Sequence, residues 1–502
     1  MSADLTLSDA AEDAAAGDAP ASSRNRHLLL RKVAGYSAVR AVTEGLLGLR
    51  GILLATLLGP AAFGSWALLR LGTRYATLAG MGVFRGLEVQ LLNPGERSTA
   101  DAGGRSDAGG RSEAAGAALG FMLAVSGALA MLALLVSALV ETPNHRLILQ
   151  GFAAAVVAEA VYGYALVVTR VRTTLFRYSL LELGTAALHL GLGVILAWWF
   201  GLAGAFAALA LSSAVGAAAA SQWTEMRPVF RSPPLRAMLG IGLPVALTGA
   251  VGTLLNTADR WVVAAWGGEV LLGYYAFAGA LASAATALAL AVRTVVFPEV
   301  YSDARLAGAA TALRRHLERS LMPFATLVPP ILGAIGVCLG PVVSLVAPAY
   351  AEAVAPARLF LLAGSAIGVV NLAAIGVVAA GQQRLLPAYA GMALGVTLAL
   401  SISALLLGAG LEGVAAASLM GHLVFATAVL RLNARLSGIG KAGQLAARAL
   451  RPLAWCAVAV AVAGRVAVDL DSELAGLGLY LLLMIPLASK AMSEWRRLHG
   501  AR

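Results

Sequence analysis

Five arginines stand inside long apolar stretches: Arg40 and Arg50 in the first, Arg70 and Arg74 in the second, and Arg260 far downstream. A guanidinium in hydrocarbon is costly enough that it faces a water-filled path, a partner group or the interface. Arg70 and Arg74 are i,i+4 and share one helical face, and Arg40 and Glu44 have the same spacing, which lets them neutralise each other. Asp259 adjoins Arg260 but is off its i,i+4 face, so these two need not cancel. Arginine presents several donors in a planar fork, which suits the oxygens of a diphosphate. The pattern therefore marks Arg70, Arg74 and Arg260 as candidate anion-binding residues, with Arg50, nearer the end of its stretch, as a fourth. Glu44, Asp259, Glu159 and Glu182 form a second set, suited either to an ion-coupling step or to pairing helices. Asn371 and His422 read as structural hydrogen-bonding groups.

The stretches that carry these residues are long and numerous. The chain has 502 residues, 59% hydrophobic and 13% charged, too few charges to clothe a soluble protein of this size. Segments near the roughly 20 residues needed to cross a bilayer fall at 34–57, 65–84, 115–140, 148–169, 178–199 and 201–220. A second set falls at 238–265, 271–296, 321–346, 359–380, 385–408, 410–430, 452–468 and 474–490. The expectation is an all-α polytopic membrane protein of about 14 transmembrane helices.

Most of the 37 basic residues lie in alternate connecting segments, such as Arg170, Arg172 and Arg177, or Arg305, Arg314, Arg315 and Arg319. The opposite loops hold only Arg146, Arg358 and Arg465 beside several acids. The positive-inside rule then puts both termini in the cytoplasm, at the cytoplasmic (inner) membrane. A net charge of +11 is accounted for by topology and argues against a nucleic-acid partner. No phosphate-cradling loop ending in Lys-Ser or Lys-Thr is present, nor any His/Cys set at metal spacing. The expectation is no catalytic residue, no metal, no cofactor and no enzyme activity. Cys338 and Cys456 sit in apolar runs as packing residues.

Domain organisation follows from these segments. Residues 1–32 read as a disordered cytoplasmic tail, with an N-terminal transmembrane lobe over 33–220 interrupted by a flexible cytoplasmic insert at 92–114. A linker over 221–236 leads to a C-terminal lobe over 237–431, and 452–490 adds two helices. Leu49-Arg50-Gly51 running into Leu58-Gly59-Pro60-Ala61-Ala62-Phe63-Gly64 has a counterpart in Asp259-Arg260-Trp261 followed by Gly273-Tyr274-Tyr275. Read with Arg50 against Arg260, the two intervals to the second glycine differ by one residue. Six helices separate the copies, so both enter the membrane in the same direction and the lobes are expected to be parallel repeats.

The Leu58-Gly59-Pro60-x-x-Phe63-Gly64-x-Trp66-Ala67 turn, the Asp259-Arg260 pair and Gly273-Tyr274-Tyr275 resemble the polysaccharide-exporter branch of the multidrug, oligosaccharidyl-lipid and polysaccharide flippase superfamily, over roughly residues 30–490. That resemblance implies two pseudo-symmetric six-helix lobes plus two C-terminal helices, and a cationic central cavity. It also implies a flippase moving polyprenyl-diphosphate-linked oligosaccharide repeat units to the outer leaflet by alternating access, in cell-surface polysaccharide biosynthesis. The implied partners are the lipid-linked glycan, membrane lipids, and a polysaccharide polymerase with glycosyltransferases. The chain departs from that pattern in carrying no buried lysine, and its fourteen expected helices also resemble the peptidoglycan lipid flippases. Two other functions fit the same residues: a cation-coupled exporter of small amphiphiles, in which the embedded acids matter most, and a non-transporting scaffold for glycan assembly enzymes.

Overall fold

The computed structural model describes residues 23–92, 107–224, 226–230, 232–439, 442–470 and 472–499. Every regular element among them is helical. Eleven helical stretches are long and apolar enough to cross a membrane, and Glu473–Ser489 forms a shorter apolar helix. The chain is an all-α, multi-pass membrane protein with eleven to about fourteen such helices. The tail expected over 1–32 and the insert expected over 92–114 lie largely outside the described residues. Within them, the first helix begins at Ser23 and another at Asp107.

Three of the eleven stretches are hairpins, each turned by one glycine, two of them in the N-terminal half. Ser23–Ala79 breaks at Gly59, with φ 73° and ψ 169°, which gives α1 (23–58) and α2 (60–79). This backbone region is open to glycine and almost nothing else, and Pro60 then takes the first helical position, where its missing N–H costs nothing. Leu175–Ala220 breaks at Gly201, φ 56°, which gives α6 (175–200) and α7 (202–220). Between the hairpins run α3 (Val83–Leu92), α4 (Asp107–Leu139) and α5 (Pro143–Arg172). The chain reversals are real: a Cβ on Gly204 would lie 1.9 Å from the carbonyl oxygen of Leu196, a distance no straight helix allows at eight residues of separation.

After α7 come α8 (Ser232–Leu255), then Ala258–Leu281, which breaks at Gly268 with φ 66° and ψ −162° into α9 (258–267) and α10 (269–281). The remaining helices are α11 (Ser283–Ala307), α12 (Ala309–His316), α13 (Met322–Val346), α14 (Val354–Ala379), α15 (Leu386–Leu406), α16 (Gly410–Ser437), α17 (Ala442–Asp469) and α18 (Glu473–His499). Ala312, Leu313, His316 and Leu317 form one buried stripe and Ala310 is exposed.

The chain divides into two compact units: the described residues of Met1–Leu58 with Ala62–Ala250, and of Gly59–Ala61 with Val251–Arg502. In the first, α5 packs along both α4 and α6. Small residues allow the closest approaches, as expected where lipid tails compete equally for apolar side chains. A Cβ on Gly86 would lie 2.1 Å from the Met238 carbonyl oxygen, and one on Gly82 2.2 Å from that of Gly242. In the second unit α14 is the most enclosed helix, flanked by α11, α13 and α16. The two C-terminal helices dock on α13, where the Tyr480 hydroxyl donates to the Pro330 carbonyl at 2.7 Å and lies in the gap left by Gly333.

Candidate functional site

The charged residues of the first unit line up between α1 and α6. Arg40 pairs with Glu44 on its own helix at 2.5 Å and with Glu182 on α6. Ten residues further along α1, the stem of Arg50 reaches Gly193 on α6, where a Cβ would lie 3.7 Å from Cγ and Cδ. Glu182, His189 and Gly193 recur at helical spacing on one face of α6, so α1 and α6 run side by side in the same direction. Arg50 is buried, and its guanidinium sits 5.2 Å from the ring centroid of Trp66 across the Gly59 turn. Phe63 stacks on the same indole at 5.4 Å. Among the described residues no carboxylate pairs with Arg50, and its Nε is buried without a hydrogen-bond partner.

Arg70 forms an ion pair with Glu159, which ties α2 to α5. Arg50, Arg70 and Glu159 lie within electrostatic reach of one another, and His189 feels both arginines. The His189 Nδ1 is likewise buried without a partner. Arg74, one turn beyond Arg70, is exposed. Nearer the basic segments, Glu88 accepts from both Arg85 and Arg170 at 2.6 Å, locking α3 to α5.

The second unit is built on a similar hairpin with different chemistry. Asp259 is buried; one carboxylate oxygen accepts from the backbone N–H of Arg260 and the other from the Tyr275 hydroxyl, both at 2.9 Å. The Arg260 side chain turns away from Asp259 toward Gly279, where a Cβ would lie 3.1 Å from Nη2, and its Nε has no partner. On α16, His422 contacts the Ser418 carbonyl at 2.8 Å and Asn256 Oδ1 at 3.2 Å.

Counting from the turn glycines aligns the two hairpins residue by residue. Arg50 and Asp259 each lie nine residues before the turn, and Trp66 and Tyr275 each seven after it. Leu54 matches Val263, Phe63 matches Leu272 and Leu69 matches Ala278, all buried. The match of Arg50 to Arg260 suggested by sequence is therefore off by one: Arg260 corresponds to Gly51, and Gly279 to Arg70. The interval from Gly59 to Gly268 also separates Gly201 from Gly410. Around that second turn Ala205, Phe206 and Ala208 match Val414, Ala415 and Ala417, again all buried.

The structure thus brings Arg50, Arg70 and Glu159 together, joins Glu44 and Glu182 through Arg40, and sets Asp259 against Tyr275. Sequence reasoning overlooked Trp66 and Tyr275 as partners, His189, and the His422 contact to Asn256. His189 carried one available signal, since it falls two turns after Glu182 in an apolar helix. Trp198 and Trp199 are exposed beside the Gly201 turn, as interfacial anchors are.

A sequence profile described as "Polysaccharide biosynthesis protein" matches residues 53–354, and the chain belongs to that family. No curated protein matches it in sequence. Its fold is similar to that of the lipid II flippase MurJ in an inward closed conformation, with a TM-score of 0.70 at 13% identity, covering 92% of this chain and 98% of that one. It is also similar to an outward-facing multidrug resistance MATE family transporter of the MOP superfamily, with a TM-score of 0.57 at 16% identity, covering 82% of this chain and 96% of that one. A MOP superfamily transporter from Pyrococcus furiosus gives 0.53 at 16% identity, with coverage of 84% and 96%. The proteins that share the fold are a flippase and transporters rather than enzymes.

Proposed function

We propose that this protein is a flippase that moves polyprenyl-diphosphate-linked oligosaccharide repeat units from the cytoplasmic to the outer leaflet by alternating access. The observation that carries the reading is the state of its embedded arginines. Arg50 is buried with an aromatic face and no carboxylate, and the Arg260 guanidinium likewise has no acidic partner among the described residues. Leaving a buried cation uncompensated is expensive, and an anionic headgroup arriving at either guanidinium would supply the missing charge and acceptors. Arg70, held by Glu159, would release to the same headgroup by exchanging one oxyanion for another. Arg74, exposed on the same helix, would meet it first. Membership of a polysaccharide biosynthesis family supports a glycan cargo, with a polymerase and glycosyltransferases as neighbours in the route.

The test is reconstitution in liposomes with a polyprenyl-diphosphate oligosaccharide confined to one leaflet, read by its accessibility to a glycan-modifying enzyme outside. Wild-type protein is expected to accelerate transbilayer movement over empty liposomes. Failure across imposed proton and sodium gradients and several glycans would leave the scaffold function in its place. Both termini are proposed to be cytoplasmic, with the protein in the inner membrane. Cysteines placed at the turns Gly268 and Gly408 should then react with an impermeant external reagent, and one at Gly110 only after the membrane is opened. External labelling of Gly110 would reverse the orientation.

A further inference from the structure

We propose that His422, between Ser418 and Asn256, is a proton-binding site of the second unit, with Asp259 as its counter-charge. The hydrogen-bond geometry carries the proposal. His422 Nδ1 faces the Ser418 carbonyl at 2.8 Å, an acceptor only. Nε2 faces Asn256 Oδ1 at 3.2 Å. The orientation of that amide is fixed, because its Nδ2 donates to the Gly252 carbonyl at 2.7 Å; flipping it would set two oxygens against each other. Both ring nitrogens therefore face acceptors. A neutral imidazole has one N–H and would oppose a lone pair to a lone pair at the other nitrogen, whereas an imidazolium donates at both.

The surroundings suit a proton that loads and unloads. His422 is buried while Asn256 is exposed, so Nε2 faces the more accessible side and Nδ1 faces a carbonyl of its own helix. Asn256 also lies in the break between α8 and α9, the kind of interruption that frees backbone and side-chain oxygens for ions within a membrane protein. The charge that acts on the ring is Asp259, three residues along the same segment. It is held by Tyr275 and the Arg260 N–H, not by a guanidinium. Arg260 of α9 lies on the same hairpin as Asp259 with its guanidinium turned to Gly279; among the described residues the other helices packed against α16 bring no opposing charge to this point. α15 offers the hydroxyls of Thr397 and Ser401, and Arg358 of α14 is engaged at the Gly336 carbonyl. His316 of α12 is tied to the Leu372 carbonyl. The charged residues of α17 lie near its ends. Two acceptors at the ring nitrogens and the Asp259 carboxylate nearby are what a bound proton would meet here.

That this proton drives translocation rests on the flippase reading above; that it binds does not. The direct test is nitrogen-15 NMR of the full-length protein labelled at its six histidines in lipid, with His422 assigned by difference from His422→Gln. If that variant does not fold, the signal moved by Asn256→Ala supplies the assignment. One histidine is expected to be doubly protonated at low pH and to become singly protonated as the pH is raised across the range in which the protein stays folded. Asp259→Asn should lower its midpoint by about one unit, a tenfold loss of proton affinity. A His422 that keeps a single N–H across that range, or that ignores Asp259→Asn, overturns the site. In proteoliposomes, a pH gradient should drive glycan movement by wild type and fail to do so for His422→Gln. If no cargo moves under any gradient while the NMR signal still titrates, the proton site stands and the flippase reading falls.

Discussion

In the hairpin that turns at Gly59, Arg50 lies against the face of Trp66; in the hairpin that turns at Gly268, the same two places hold Asp259 and Tyr275, joined by a 2.9 Å hydrogen bond. The frames are alike, and the buried apolar positions of one recur in the other. The charges are not. One hairpin buries a cation against an aromatic face with no carboxylate paired to it among the described residues, and the other buries an anion with both oxygens satisfied. The cation outside the matched pair also comes from opposite sides in the two hairpins: Arg70 from the second helix where the first has Gly51, and Arg260 from the first helix where the second has Gly279. A frame set by glycines and packing thus tolerates a reversal of charge at matched places, because the frame does not depend on those charges. Their cost is then best explained by function.

The largest effect should come from breaking the pair of Arg70 with Glu159. Arg70→Ala leaves Glu159 without its partner, and because the pair is partly exposed the loss should be about 1–3 kcal/mol rather than the larger penalty of a fully buried pair. Adding Glu159→Gln should restore most of the melting temperature but not the transport. Full recovery of transport would show that the pair serves only to hold helices. Next, the two hairpins should respond with opposite sign. Arg50→Leu removes an uncompensated buried charge and should raise thermal stability by about 1 kcal/mol or more while lowering translocation at least about tenfold. Asp259→Leu orphans the Tyr275 hydroxyl and should lower stability by about 1–3 kcal/mol. A shift of the same sign in both, read by unfolding in detergent, would break the contrast.

Relocating a cation sharpens the comparison further. Arg260→Gly should reduce translocation, and adding Gly279→Arg should restore part of it, since that places the guanidinium where Arg70 sits in the first hairpin. No gain from the second change would mean that the two positions are not functionally equivalent. The smallest effect concerns the turns themselves. Gly59→Ala and Gly268→Ala should each cost about 1–2 kcal/mol from backbone strain alone, because neither new methyl meets an atom within 4 Å. Costs differing by more than about 1 kcal/mol would show that one turn carries a packing role the other lacks.

Hydropathy alone placed most of the helices, since length and apolarity are properties of each segment by itself, but it ran the expected spans 238–265 and 271–296 through the breaks that the structure has at 256–257 and 282. The Leu58-Gly59-Pro60 and Gly273 motifs already pointed to a repeat, because a tight reversal between helices needs glycine and leaves it in the sequence. The pairing of Arg40 with Glu44 was legible for the same local reason. What the chain could not declare was which helices are neighbours: Arg40 with Glu182, Arg70 with Glu159, His422 with Asn256. Apolar helix faces attract one another and lipid about equally, so the pairing is chosen by small-residue contacts and hydrogen bonds spread over many helices. The register of the repeat was undecided for a related reason. Two arginines of like type invited alignment, and only the backbone at Gly59 and Gly268 put Arg50 opposite Asp259. Residue types reveal what a charge could do, but the partner that satisfies it, or fails to, is set by the fold that surrounds it.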